Sequence, residues 1–396
     1  MDSMLQRAKE HFLQGVDHFE NGRLEQARID FETALGFAPD RPSLLGNLGI
    51  TLFQLGRHNE ALPILEKATA ADPAHAEAWI CLTLIYEANQ QWQQAIAALD
   101  RLCGLQPQPA VFAFRKGECH LRRGEVREAM NAFDAAIKAD PNLADAWTAR
   151  GSLLRELHKL DEAAHCFRKA LACGGDAELN HYYLAAVSGL EVIPPPPRAY
   201  VETLFDDYAS SFQEHVVHTL RYRGHELLLQ SLVEKPLRFQ RALDLGCGTG
   251  LCGRLLQPVA LEIDGIDISQ AMLEQAGKLG IYRRLIHADL PAYLATADEK
   301  ADLIIAADVF IYVGELASIF QSVRRLLNPG GWFAFTVELP TNGEDLQLLP
   351  TLRYAHSETY IRQLANTFGF NISERFAAPI RENQGKPIQG MYFYLR

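Results

Sequence analysis

The chain has 396 residues, more than one hydrophobic core accommodates, with 48% hydrophobic residues, 22% charged residues and a formal charge of −11; this excludes a disordered chain and predicts two folded domains. Both halves carry net negative charge, so neither offers the concentrated basic face that phosphate backbones require, and nucleic acid is not favoured as a partner. No apolar stretch resembles a signal peptide or membrane span, so a cytoplasmic protein without a membrane partner is expected.

From the N-terminus, four ladders run at a 34-residue period. Pro39, Pro73, Pro107 and Pro141 form one, and Ala27, Ala61, Ala95, Ala129 and Ala163 a second. Small residues Gly15, Gly49, Gly117 and Gly151 form a third, in which Thr83 takes the middle place. Phe31, Leu65, Leu99, Phe133 and Phe167 form the fourth. Small residues let paired helices cross closely while bulky ones fill the space between successive units. Asn21-Gly22, Gly56-Arg57, Gly124-Glu125 and His158-Lys159 supply the turns within each pair.

These residues resemble the tetratricopeptide repeat. Five repeats fit, at 8–41, 42–75, 76–109, 110–143 and 144–177, and Gly175 replaces the exit proline of the fifth. Asp176 to Leu190, with Leu179, Tyr182, Tyr183, Ala186 and Leu190 as its apolar face, reads as a capping helix. Such an array is an α-solenoid with a curved surface for a protein or peptide partner, or else serves self-association or bracing. Arg115-Lys116 and Arg122-Arg123 are either a carboxylate clamp or a solvated face.

Pro194 to Pro197 cannot continue a helix and predicts a stiff spacer. The expected division is therefore 1–190 for five repeats and cap, 191–199 for the linker, and 200–396 for a second domain. In that domain the 34-residue ladders vanish, and apolar runs alternate with helical segments, as in an α/β sheet. Phe205, Tyr208 and Phe212 share a helical face ahead of the first strand, which either lids the site or packs on the sheet.

Arg241 to Gly250 reads as a buried strand, then a glycine-rich turn opening a helix near Leu251. A dinucleotide loop requires a further glycine where Leu251 stands, and Asp244 lies in the strand before Gly246. The pattern instead resembles motif I of class I S-adenosylmethionine-dependent methyltransferases. Later segments agree: strands at 261–268, 284–288 and 302–306 end near Asp267, Asp289 and Asp308, Leu327 to Gly331 leads into a strand at 332–338, and 370–376 with 388–395 form a hairpin. The resemblance covers residues 200–396 and implies a doubly wound, Rossmann-like, seven-stranded α/β domain that uses S-adenosyl-L-methionine.

In that family, Asp244, Gly246, Cys247, Gly248 and Gly250 correspond to the cradle of the cofactor's methionine part. Asp267 would accept both ribose hydroxyls, with Ile268 and Met272 beside it. Asp289 would accept the adenine amino group next to Leu290, Asp308 would face cofactor and substrate, and Tyr208 would help exclude water. Asp244 as a loop cap and Asp289 as a helix N-cap are the structural alternatives.

As a whole the chain resembles bacterial methyltransferases carrying tetratricopeptide repeats, with Asp308-Val-Phe-Ile-Tyr312, Phe335-Thr-Val-Glu338 and Arg353-Tyr-Ala-His-Ser357 in support. The resemblance supplies chemistry without a target: the acceptor is an oxygen or nitrogen of a small molecule, or a protein or carrier-bound group brought by the repeats, or the domain only senses cofactor. His356 is the expected general base, with Tyr312, Glu338 and Tyr354 positioning substrate. The alternative makes His356 part of a cap with Ser357 or Thr359, and a carboxyl acceptor needs no base. The seven cysteines show no C-x-x-C pair, and His215 with His218 lack further ligands, so reduced thiols and no metal are expected.

Overall fold

The computed structural model describes residues 2–105, 109–189, 193–209, 222–383 and 386–396, which form two compact units, Met1–Gly175 and Asp176–Arg396. Pro107, Phe212, His215 and His218 lie outside the described residues, as does the side chain of Tyr208.

In the first unit the predicted repeats are helix pairs: Asp2–Glu20 with Leu24–Phe37, Pro42–Gln54 with His58–Ala71, Ala76–Ala88 with Trp92–Leu105, Ala110–Arg122 with Val126–Ala139, and Ala144–Glu156 with Leu160–Ala172. The alanine and large-residue ladders are completely buried. A Cβ on Gly117 would come within 2.4 Å of the Phe133 ring, and one on Gly151 within 2.6 Å of Phe167, so small size is a steric requirement of the crossing. Gly49 is as confined by Leu65, at 2.6 Å, and Thr83, fully buried in the third repeat, donates its hydroxyl to the Trp79 carbonyl at 2.8 Å. Each pair turns on a left-handed residue, Gly22, Gly56, Gln90, Gly124 or His158. Gln90 adds a turn that the glycine pattern misses.

The second unit is built on one sheet. Strands β1 (Phe239–Leu245), β2 (Ala260–Asp267), β3 (Arg284–His287), β4 (Ala301–Ala306) and β5 (Leu327–Glu338) are parallel in the order β3-β2-β1-β4-β5. Helices Leu251–Leu256, Gln270–Gly277, Leu290–Thr296 and Ala317–Leu326 connect them, and central β4 carries from Leu303 to Ala306 the buried apolar run that cover on both faces demands. Phe310, Phe320, Phe333 and Phe335 interlock on one face, Phe320 meeting Phe333 edge-on at 5.5 Å. The sheet closes with antiparallel β8 (Ile372–Asn383) and β9 (Lys386–Leu395), the latter on β5. Beyond the seven expected strands, short β6 (Leu346–Leu348) and β7 (Tyr354–His356) extend the end of β5, where Glu338 pairs with Ala355.

The predicted boundary shifts. Helix Ala177–Ser188, capped by the Asp176 carboxylate on the Leu179 N–H, belongs to the second unit, where Tyr182 donates to the Leu352 carbonyl at 2.7 Å. The proline run is not a free spacer either. The Pro194 carbonyl accepts from the Tyr354 hydroxyl at 2.6 Å, and Pro197 is buried. Proline lacks an N–H but keeps its carbonyl and an apolar ring, so a run of it packs readily as a wall. Among the described residues, no helix is long and apolar enough to cross a membrane, and all seven cysteines are free thiols.

Candidate active site

Parallel strands end in loops that diverge where the order reverses, and the crevice outside their carboxyl ends is where ligands bind in such sheets. Here β1, β2 and β4 open on a cavity of about 690 Å³. Gly246, Cys247, Gly248 and Thr249 form one wall. Gly246 and Gly248 both have positive φ, and a Cβ on Gly246 would strike Val309 at 2.6 Å. The glycines thus let the turn lie flat between β1 and the loop after β4.

Asp267, at the end of β2, accepts from the Gly248 N–H at 2.8 Å and the Ser269 N–H at 2.9 Å. Burial pushes its pKa up, and these backbone donors oppose the rise. It lines the cavity with Ile268 and Met272. A carboxylate has about four acceptor sites, more than the Gly248, Ile268 and Ser269 donors occupy. Asp289 and Leu290 line the same space, and Asp289 also caps helix Leu290–Thr296 through the Ala292 N–H. Its two readings are therefore compatible.

Asp308, past β4, lines the cavity at φ +60°, its N–H held by the Thr336 hydroxyl at 2.8 Å. Its carboxylate pairs with the Arg381 Nη1 at 2.6 and 2.7 Å, while the other Arg381 nitrogen bonds Glu338. From the preceding helix, Arg198–Tyr208, Phe205 reaches the cavity and meets the Tyr312 ring edge-on at 5.0 Å. Asp206 holds the Ser269 hydroxyl at 2.5 Å, tying that helix to the end of β2.

Several expected contacts are corrected. Asp244 is 1% exposed and stands behind the turn, accepting from the Tyr282 hydroxyl at 2.7 Å, and its burial lifts the pKa to about 7. Gly250 starts helix Leu251–Leu256 against Leu279 and Tyr282, away from the cavity lining. Of the catalytic candidates Tyr312 alone lines the cavity. His356 is fully buried, its Nε2 2.7 Å from the Gly314 carbonyl oxygen, and desolvation lowers its pKa to about 4. Sealed in the wall, it reaches no ligand in the cavity, and the helix cap is Ser357, on the Tyr360 N–H. Glu338 is buried against Arg381, and the Tyr354 hydroxyl is taken by Pro194. Neither lines the cavity.

Four side chains that motif reading misses also line it: Thr249, His225, Arg353 and Arg381. Thr249 Oγ1 and His225 Nδ1 are buried without a hydrogen-bond partner among the described residues, and desolvation lowers the His225 pKa. Thr249 stands within the glycine turn and was legible there. Arg353 opens the Arg353-Tyr-Ala-His-Ser357 segment, where the reading fell on His356 instead, and His225 and Arg381 lie far from any motif that names a role.

A glycine turn after β1, an acidic residue ending β2 and a cavity at the switch point define an α/β domain of the doubly wound class. Residues 243–335 match the family model described as a methyltransferase domain, and 18–85 and 52–116 match the tetratricopeptide repeat model; the chain therefore carries a methyltransferase domain behind tetratricopeptide repeats. Residues 88–170 match a model for subunit 3 of the anaphase-promoting complex.

The chain is 34% identical over 190 residues to a malonyl-[acyl-carrier protein] O-methyltransferase of Legionella pneumophila, covering 46% of this chain and 64% of that one. It is 28% identical over 129 residues to a ubiquinone biosynthesis O-methyltransferase of Thiobacillus denitrificans, covering 31% and 52%. The chain thus spans less than two thirds of the length of these relatives. Among solved structures, MamA is 27% identical, covering 40% of this chain and 94% of that one with a TM-score of 0.38. Use of S-adenosylmethionine is a general property of such methyltransferase domains.

Proposed function

We propose that the second unit binds S-adenosyl-L-methionine in this cavity and transfers its methyl group to an oxygen of an acceptor bound beside it. The observation that carries the reading is the joint placement of the Gly246–Gly248 turn and the buried Asp267 on one cavity wall, with Asp289 lining the same space. The Thr249 hydroxyl, buried and without a partner among the described residues, and the remaining acceptor capacity of Asp267 fit a polar ligand there. A volume of about 690 Å³ suits a cofactor together with a small acceptor.

When bound, the cofactor supplies a sulfonium-activated methyl group. The residues supply position and dryness. Asp267 takes the ribose hydroxyls, Asp289 and Leu290 the adenine, and Gly246 to Gly248 the methionine part. Ile268 and Met272 pack beside the nucleoside, and Phe205 with Tyr312 excludes water. Asp308, held by Arg381, fixes the loop where cofactor and acceptor meet.

A small-molecule acceptor is the simplest reading. A carrier-bound acceptor, recruited by the repeats, is the second, favoured by the acyl-carrier protein named for the Legionella relative and by the general role of such repeats in protein interaction. Free thiols throughout accord with a cytoplasmic location. Methyl-labelled cofactor incubated with the full chain and extract, then split into protein and small-molecule fractions, tests the reading. Label transfer that Asp267→Ala abolishes is expected; no cofactor binding by the folded wild-type chain overturns it.

A further inference from the structure

Arginine charges inside proteins find counter-ions, because an unpaired charge removed from water is costly. Arg381 follows that rule in this cavity, with Asp308 and Glu338 both on its guanidinium. Arg353 does not. It lines the same cavity, partly buried, and makes one side-chain hydrogen bond among the described residues, from Nε to the Tyr312 hydroxyl at 3.4 Å. Among those residues no Asp or Glu oxygen comes within ion-pair distance of it; the Asp308 carboxylate, already held by Arg381, acts on it only from farther off.

Nor is Arg353 a loose surface side chain. Leu352 before it is held at φ +63°, a region that bulky residues rarely adopt, with its carbonyl bonded to Tyr182. Tyr354 after it is bonded to Pro194. The backbone on both sides is clamped, so the guanidinium starts from a fixed point. The lining of the cavity includes apolar Val201, Leu204, Phe205 and Val313 beside charged Arg198, Asp308 and Glu315.

We propose that Arg353, with the Tyr312 hydroxyl, anchors a carboxylate of the methyl acceptor, and that this carboxylate is the group methylated. The proposal rests on the methyltransferase reading above and names its substrate class: a carboxylic acid with an apolar body. A planar carboxylate matches the guanidinium fork. One carboxylate oxygen forms the new C–O bond to the methyl carbon as the C–S bond breaks, and that bond's electron pair stays on sulfur. Sulfonium and carboxylate charges cancel, giving a neutral methyl ester and S-adenosylhomocysteine. No proton is removed, so the step needs no general base.

The test uses the full chain with decanoate and decanamide as probes. Binding is measured in the presence of S-adenosylhomocysteine, and transfer with methyl-tritiated cofactor, since methyl esters release volatile methanol in alkali. Decanoate should bind at least about tenfold tighter than the amide and yield base-labile label. Arg353→Gln should raise the KM for decanoate about 100-fold and erase the preference, while S-adenosylhomocysteine affinity stays within about twofold. Should Arg353→Gln fail to fold, Arg353→Lys serves, with a loss of about tenfold. Equal binding of acid and amide, a preference that survives in Arg353→Gln, absent label, or base-stable label would each overturn the proposal. Failure of the wild-type chain to bind S-adenosylhomocysteine is a separate result, striking the methyltransferase reading itself.

Discussion

The Tyr182 hydroxyl donates to the Leu352 carbonyl at 2.7 Å across 170 residues of chain. Tyr182 is fully buried, its ring 5.9 Å from that of Tyr200 and 6.2 Å from that of Tyr354. The contact explains why helix Ala177–Ser188 goes with the second unit, because it braces the strained turn that carries Arg353.

Tyr182→Phe should therefore destabilise the second unit by about 1–3 kcal/mol, since it leaves a buried carbonyl without its donor. Denaturant unfolding of the full chain measures this. By the same logic a fragment 176–396 should bind cofactor, whereas 198–396, which lacks Tyr182 and the Pro194 to Pro197 wall, should bind it weakly or aggregate. Equal behaviour of the two fragments would restore the proline run as a mere spacer.

Asp267→Ala should weaken S-adenosylmethionine binding by roughly 2–4 kcal/mol. It also releases the Gly248 and Ser269 N–H groups, so the melting temperature should fall by several degrees. Calorimetry on the folded variant separates the two effects. Undiminished affinity would remove Asp267 from the cofactor site.

His356 should reveal itself in pH dependence of stability rather than in turnover. Its folded pKa, about 4, lies below the ordinary histidine value, so the unfolded chain binds the proton more tightly. The resulting stability is complete above about pH 6.5 and is lost as pH falls toward 4, by roughly 3 kcal/mol. Asp244 works in the opposite direction: its pKa is raised to about 7, so stability falls as pH rises through the interval from about 4 to 7. The measurement is thus the difference between wild type and His356→Asn across pH 4 to 7. A constant difference, or loss of turnover with cofactor affinity intact, would return His356 to the chemistry.

In the repeats, Gly117→Ala should cost about 1–3 kcal/mol, because its methyl group meets Phe133. Part of that cost should vanish in Gly117→Ala with Phe133→Ala, which removes the ring that the methyl group meets. Strictly additive effects in the double-mutant cycle would show that the ring is not the obstacle.

The helix pairs and the glycine turn were legible in the sequence because their causes are local or periodic. A crossing that admits only a small residue repeats every 34 positions, and a turn needing positive φ selects Gly246 and Gly248 wherever the turn lies. Strand ends followed from apolar runs, so Asp267, Asp289 and Asp308 could be named in advance. The Leu352 turn has no such signal: a leucine at positive φ is held by Tyr182 from far away.

The sequence by itself determined the repeat array, the α/β domain and the strand-end aspartates. Only tertiary structure decided which polar side chains face a ligand. Arg353 and Arg381 look alike in a sequence, as do a buried and a solvent-facing histidine. Arg381 is neutralised by Asp308, 73 residues away, and by Glu338, 43 away, while among the described residues the Arg353 side chain hydrogen-bonds to the Tyr312 hydroxyl and pairs with no carboxylate. Charge pairing and desolvation depend on distances of a few ångströms in space, which separation along the chain does not encode.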